Sequence, residues 1–159
     1  MITLPPPPPP IVIEHIIYTK PESISNYAST YDFLKEQIAT AVIPSVKNKI
    51  SSFLMLEESW DGYGASCLDE RVAKNAFKFI DAANSFGYCP STDDDVTLTP
   101  YGSIVIDYTS GAGLVSVEIG LKKIGYFTDF GNGKNHHSKG IYTSFRTVPP
   151  RIKVNLSRL

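Results

Sequence analysis

A chain of 159 residues with 42% hydrophobic and 11% aromatic content is long enough to bury a core as one domain, and two cysteines are too few for a disulfide framework. Its apolar stretches fall short of the roughly 20 residues that cross a bilayer, and no basic stretch leading into an apolar one opens it, so a cytoplasmic protein without a cleaved leader is expected. The net charge of −1 hides a division: residues 1–121 hold seven Lys and Arg against fifteen Asp and Glu, a balance of −8, while residues 122–159 hold eight against Asp129 alone, a balance of +7. Either the two halves neutralise each other within the fold, or the basic half is a face for an acidic partner.

The six prolines Pro5 to Pro10 have fixed φ and no N–H, which predicts a polyproline II rod of about 19 Å. Ile11–Tyr18 is rich in β-branched residues and reads as a strand or extended docking segment. Residues 1–24 are therefore taken as a proline-rich arm and residues 25–159 as a single α+β domain. From about Ser25 to Leu56 the period becomes helical, with Tyr27, Tyr31, Leu34, Ile38 and Ala41 on one face. Pro44 either kinks this helix or starts a second one, which carries Val46, Ile50, Phe53 and Leu54. A further helix is predicted over Leu68–Asn84, burying Leu68, Val72, Ala76, Phe79, Ile80 and Ala83 and exposing Asp69, Glu70, Lys74, Lys78 and Asp81. Ser66, three residues ahead of Asp69, suits a cap at its head.

After an acidic turn at Asp93-Asp94-Asp95 the pattern alternates with period two. Ile104, Ile106 and Tyr108 alternate with Val105 and Asp107, and Val115, Val117 and Ile119 with Ser116 and Glu118. Ile124, Tyr126, Thr128 and Phe130 form a further alternating set, with glycine-containing turns between. "GNGKNHHSKG" reads as a polar loop, and "IYTSFRTV" and "RIKVNL" as the last strands. The expected fold class is α+β, two or three N-terminal helices packed on an antiparallel β-meander of five to six strands.

Between the helices lies "EESWDGYGAS", with the only tryptophan. Asp61-Gly62 and Tyr63-Gly64 predict a double turn with positive φ, and Ser66 leads into the next helix. Trp60 can cover the helix junction, or Trp60, Asp61 and Tyr63 can form a protruding contact patch, since Trp and Tyr dominate interface hot spots. "SWDGYGA", the amphipathic helix, a proline, "YGSIVIDY" and "LVSVEIG" together resemble a group of small bacterial proteins. That group shares a W-D-G-x-G-A turn, a helix and a "GxIxLxW"-like strand leading into a short meander. The resemblance covers residues 56–130. It departs at Tyr108, where tryptophan is usual, and at Ser66-Cys67, near where proline is common. It implies a fold and no particular activity.

Chemistry is sparse. Adjacent histidines such as His136 and His137 point apart in a strand and lack metal-ligand spacing with His15, Cys67 or Cys89; the three aspartates lack the calcium-loop pattern. A Cys67 thiolate would be stabilised at a helix start, but no base is spaced to serve it. No phosphate loop, serine elbow or zinc helix is present. No metal and no cofactor are expected, and a small enzyme would need Asp61, Cys67 and His136 or His137 assembled only in the fold. Lys122, Lys123, Lys134, Lys139, Arg146, Arg151, Lys153 and Arg158 are interleaved with Tyr126, Phe127, Tyr142 and Phe145, a mix that suits an acidic protein or single-stranded nucleic acid. The leading expectation is a non-enzymatic protein-binding factor of the inhibitor, immunity or antitoxin kind, from a bacterium or phage. It would contact its partner through Trp60, Asp61, Tyr63, Lys122, Lys123, Arg146, Arg151 and Lys153. An exposed edge strand would also allow a homodimer.

Overall fold

The computed structural model describes the backbone of residues 25–131, 133 and 135–159, and the side chains from Glu36 onward except Asn132, Lys134 and Lys139. The proline run, the segment Ile11–Tyr18, His15, and the side chains of Tyr27, Tyr31 and Leu34 lie outside the described residues. The first helix, α1, spans Ser25–Phe53 and the second, α2, Glu70–Asn84. A five-stranded antiparallel sheet follows in the order β1 (Val96–Leu98), β2 (Ile104–Ser110), β3 (Gly113–Ile119), β4 (Lys123–Asp129) and β5 (His136–Tyr142). A short helix, α3, closes the chain at Pro150–Leu156. The architecture is α+β. Among the described residues, no helix is long and apolar enough to cross a membrane.

The helix α2 forms as its stripe dictates. Leu68, Val72, Ala76, Phe79, Ile80 and Ala83 are buried, while Glu70, Lys74 and Lys78 face water. Its head differs from the expectation: the cap is Asp69 itself, whose carboxylate accepts the Arg71 amide at 2.8 Å, so Ser66 lies outside the helix. In α1, Pro44 sits inside one continuous helix. The packed face is Val42, Ile43, Val46, Ile50 and Phe53. Ile38 and Ala41 of the expected stripe are exposed, as is Leu54 beyond the helix end. The acidic turn becomes a 3₁₀ turn that fastens elements together. Asp95 accepts the amides of Ser91 and Thr92, and Asp93 accepts the Ser45 hydroxyl of α1 at 2.9 Å.

Sheet register follows the alternation. Ile106 pairs with Val117 and Val117 with Tyr126, so one set of side chains faces the helices. Val105, Asp107, Ser116, Glu118, Gly125 and Phe127 stand on the open face. All three helices pack against one hydrophobic core with this sheet.

Two expectations near the C-terminus are corrected. "RIKVNL" is the helix α3, because Pro150 takes the first helical turn, where a missing N–H costs nothing. Ile152 and Leu156, four residues apart, are its buried face, and Val154 points to solvent. In turn, the last five residues of "GNGKNHHSKG" belong to β5, and only Ile141 and Tyr142 of "IYTSFRTV" are strand. Pairing with β4 makes this polar segment extended, with a register irregularity between Ile124 and Tyr126.

Tyr108 lies in the core with its hydroxyl buried and without a hydrogen-bond partner. Burial, and secondarily the neighbouring Cys89, pushes the phenol well above its ordinary pKa. A buried hydroxyl that bonds to nothing costs free energy. Tyr108→Phe is therefore expected to leave stability unchanged or raise it by about 1 kcal/mol. Phe79→Ala, at a fully buried ring, should cost about 3–5 kcal/mol. Urea unfolding followed by circular dichroism checks both; a loss for Tyr108→Phe comparable to Phe79→Ala would refute the first.

Candidate partner-binding surface

The segment from Glu57 to Cys67 is a loop tied down from within. Asp61 Oδ1 accepts the backbone amides of Tyr63 at 2.8 Å and Ala65 at 3.1 Å, and Ser59 and Ala65 close the loop through an amide-to-carbonyl bond of 2.7 Å. Gly62 and Gly64 take φ of +79° and +95°, the double turn that "DGYG" predicts. Ser59 holds φ +62°, a conformation that costs an L residue about 1 kcal/mol and persists only where its surroundings enforce it. The Trp60 indole N–H donates to the Ser66 carbonyl at 3.2 Å while its ring packs, half-buried, on the core. Trp60 and Asp61 are engaged in building the loop. Tyr63, between the two glycines, is 95% exposed.

A second loop is joined to this one. The Ser66 amide donates to Pro100 O at 2.9 Å, bringing the β1–β2 turn against the loop. Gly102 in that turn has φ +72°, and a Cβ there would stand 2.9 Å from the Cys67 carbonyl, so only glycine lets the two backbones meet. The neighbouring Tyr101 is 89% exposed, and Met55, at the start of the connection from α1, is 83% exposed. Tyr101 and Met55 are absent from the sequence-based selection. The available signal for Tyr101 was an aromatic at a hairpin tip, where no core position can use it.

Among the described residues, the cations of the C-terminal half do not gather into one patch. Lys122, in the β3–β4 turn, lines a depression with Arg71, Lys74 and Lys78 of α2. Lys123 lies over the Tyr142 ring at 4.8 Å, and Lys153 over Phe86 at 3.6 Å. Arg151 lines a further depression with Tyr126 and His136, and Arg146 is exposed in the connection to α3. Among the described residues, every ion pair draws on residues 1–121: Lys47–Asp81, Lys49–Asp94, Arg71–Asp69 and Lys74–Glu70. The two halves thus do not neutralise each other through described ion pairs.

Comparison with known proteins returns no match: no family model fits the chain, and neither a curated protein nor a solved structure is significantly similar to it. The functional reading rests on the geometry alone.

The residues a catalytic site would need lie apart. Both cysteines are free. The Cys67 thiol donates to Glu58 Oε1 at 3.2 Å, and this bond and the carboxylate's charge push its pKa up, the reverse of the helix-start stabilisation expected for it. The histidines occupy β5, on the opposite edge of the sheet from β1, four interstrand steps or about 19 Å across. His136 pairs with Thr128 on the helix side and His137 with Phe127 on the open side, so the two rings do point apart. Among the described residues, no group of three or more His, Cys, Asp or Glu is placed to hold a metal ion.

Two carboxylates carry the loop and the helix behind it. Asp61 is held below the ordinary range chiefly by the Tyr63 amide and then by that of Ala65. Asp69 is lowered to about 2, first by the Arg71 side chain and then by its amide. An unfolded aspartate titrates near about 3.9. The stabilisation from a depressed carboxylate is complete above that pH and is lost as pH falls through the folded value. For Asp69 the window runs from about pH 4 down to about pH 2. Asp69→Asn and Asp61→Asn should each flatten the acid limb of a stability–pH curve measured by urea midpoints. An unchanged slope in both would refute the assignment.

Proposed function

We propose that the chain is a non-enzymatic protein-binding factor, inhibitor-, immunity- or antitoxin-like in kind, that acts by masking a partner protein. The observation that carries this reading is the pair of tyrosines, Tyr63 and Tyr101, exposed by 95% and 89% on two loops hydrogen-bonded to each other. Tyrosine offers a large, rigid, amphipathic surface with little side-chain entropy to lose, and it is enriched at binding hot spots. A loop braced by Asp61 and Trp60 presents such a ring already in place, which lowers the ordering cost of association. The cations without described carboxylate partners support an acidic partner, whose approach they would steer.

The test is recovery of a stoichiometric partner from host extract after nuclease treatment. The wild-type chain should retain it, and Tyr63→Ala/Tyr101→Ala should lose it while keeping its circular dichroism spectrum. Trp60→Phe, which removes the indole hydrogen bond and part of the ring packed on the core, should cost about 1–3 kcal/mol of stability and keep the partner. A complex insensitive to the double tyrosine change would sink the reading. Nuclease-sensitive recovery with no protein would replace it by nucleic-acid binding through the basic half.

A further inference from the structure

The helix α3 presents two chemically different sides. Arg151, Val154 and Asn155 share one face of α3, at intervals of three and four, and Arg158 follows in the turn past its cap, where its amide donates to the Asn155 carbonyl at 3.1 Å. With Pro150, and with Tyr126 and His136 from β4 and β5, they line a depression of about 340 Å³. Its lining therefore includes two arginines and a histidine and no acidic residue. Neither arginine joins any ion pair among the described residues.

The backbone around the depression is held in place. The His136 amide donates to Thr128 Oγ1 at 3.2 Å, and the same fully buried hydroxyl donates back to the His136 carbonyl at 3.3 Å, clamping the start of β5. The buried Asn155 side chain donates to the Arg151 carbonyl at 2.9 Å. The Arg158 guanidinium lies 3.9 Å from the centre of the Phe130 ring, which fixes its plane while leaving its donors free to bond outward. Like charges gathered without a counter-charge repel one another, and an anion between them reverses the sign of that interaction.

We propose that this depression is an anion-recognition pocket that takes the side-chain carboxylate of a Glu or Asp on a partner protein. The guanidinium forks of Arg151 and Arg158 would hold it, and Tyr126 and Val154 would flank its stem. A discrete carboxylate fits better than a nucleic-acid backbone on the cations whose side chains are described. Lys153 turns to Phe86, Lys123 to Tyr142, and Lys122 to α2, so among the described residues these three form no continuous row of phosphate contacts with the pocket. The pocket adjoins β4 and β5, whereas the tyrosine loops adjoin β1. It rests on the masking reading for its acidic protein partner and shares Arg151 with it, but not the tyrosines, so loss of hexaglutamate binding and loss of the partner on Tyr63→Ala/Tyr101→Ala are separately readable.

The experiment is a titration of the ¹⁵N-labelled full-length chain with acetylated, amidated hexaglutamate, followed through backbone and arginine Nε–Hε resonances. Sodium phosphate and an oligothymidylate serve as competing ligands. Saturable shifts confined to His136, Arg151, Val154 and Arg158 are expected. Arg151→Gln should weaken binding about tenfold or more, the effect of losing a charge-assisted hydrogen bond. Arg151→Lys should weaken it too, since an ammonium keeps the charge and loses the fork. The rest of each variant's spectrum should superpose on the wild type, separating lost binding from lost structure. Shifts spread evenly over all lysines and arginines, an undiminished Arg151→Gln, or tighter binding of phosphate or oligothymidylate in the pocket would each overturn the proposal.

Discussion

Ile104, Ile106, Val115, Val117, Ile119 and Ile124 project from three adjacent strands to one side of the sheet and are fully buried there, which a bare meander cannot achieve. Each such side chain contributes about 1.5–3 kcal/mol when taken out of water. Covering this face is the constraint that places everything else. From α2 come Phe79 and Ile80, from α1 Val46 and Ile50, and from α3 Ile152 and Leu156. Polar ties then set the position of the cover. Asn75, inside α2, donates to the carbonyls of Gly120 and Leu121 in the β3–β4 turn, and Lys47 of α1 meets Asp81 of α2 at 2.5 Å. Both long helices lie on the same side, and the chain between them passes the β1–β2 turn, where the Ser66 amide donates to the Pro100 carbonyl at 2.9 Å. The loop that presents Tyr63 is a by-product of that crossing, braced by Asp61 where it has no secondary structure to lean on.

The charge division follows a related logic. In the N-terminal part, acidic residues are used by the fold: they cap α2, close the 3₁₀ turn and pair with lysines of α1 and α2. In the C-terminal part, the described contacts of the cations are with aromatic rings, at Tyr142, Phe86 and Phe130. A ring face attracts a cation and fixes its direction without cancelling its charge, so the positive potential survives outside the protein. An ion pair would have removed it.

How much of this was legible in the sequence depended on whether a residue's pattern or its neighbours decided its place. The α2 stripe and the alternation of β2 to β4 repeat long enough to show periods near 3.6 and 2, and the structure keeps both. In "RIKVNL" six residues fit either period, and Pro150 decides in favour of helix. The strand β5 is polar and glycine-bearing by composition, and its extended form comes from β4 and the Thr128 clamp. Within "SWDGYGA" the residue types announced both a turn and a sticky surface. They did not say which side chain serves which purpose, because Trp60 and Tyr63 differ only in direction, and Asp61 sets that direction through two backbone amides. The gathering of His136, Arg151 and Arg158 was hidden for a similar reason, since α3 and the turn past its end had first to form before the two arginines lined one depression.

The tyrosine loops sit at the β1 end of the sheet and the arginine pocket at its β4–β5 edge, separated by about three to four interstrand steps of about 4.8 Å. That span fits within a standard protein interface, whose about 800 Å² on each side makes a patch about 30 Å across. One partner could therefore touch both only by lying across the sheet or around the helices that cover it. The tyrosines would then supply apolar area and the arginines orientation, since a forked donor accepts a carboxylate from few directions. Such a division explains why the aromatic residues at the two sites differ. At the loops they are exposed and unpartnered, ready to be buried, whereas Phe130 is spent under Arg158, holding a cation in the plane in which it binds.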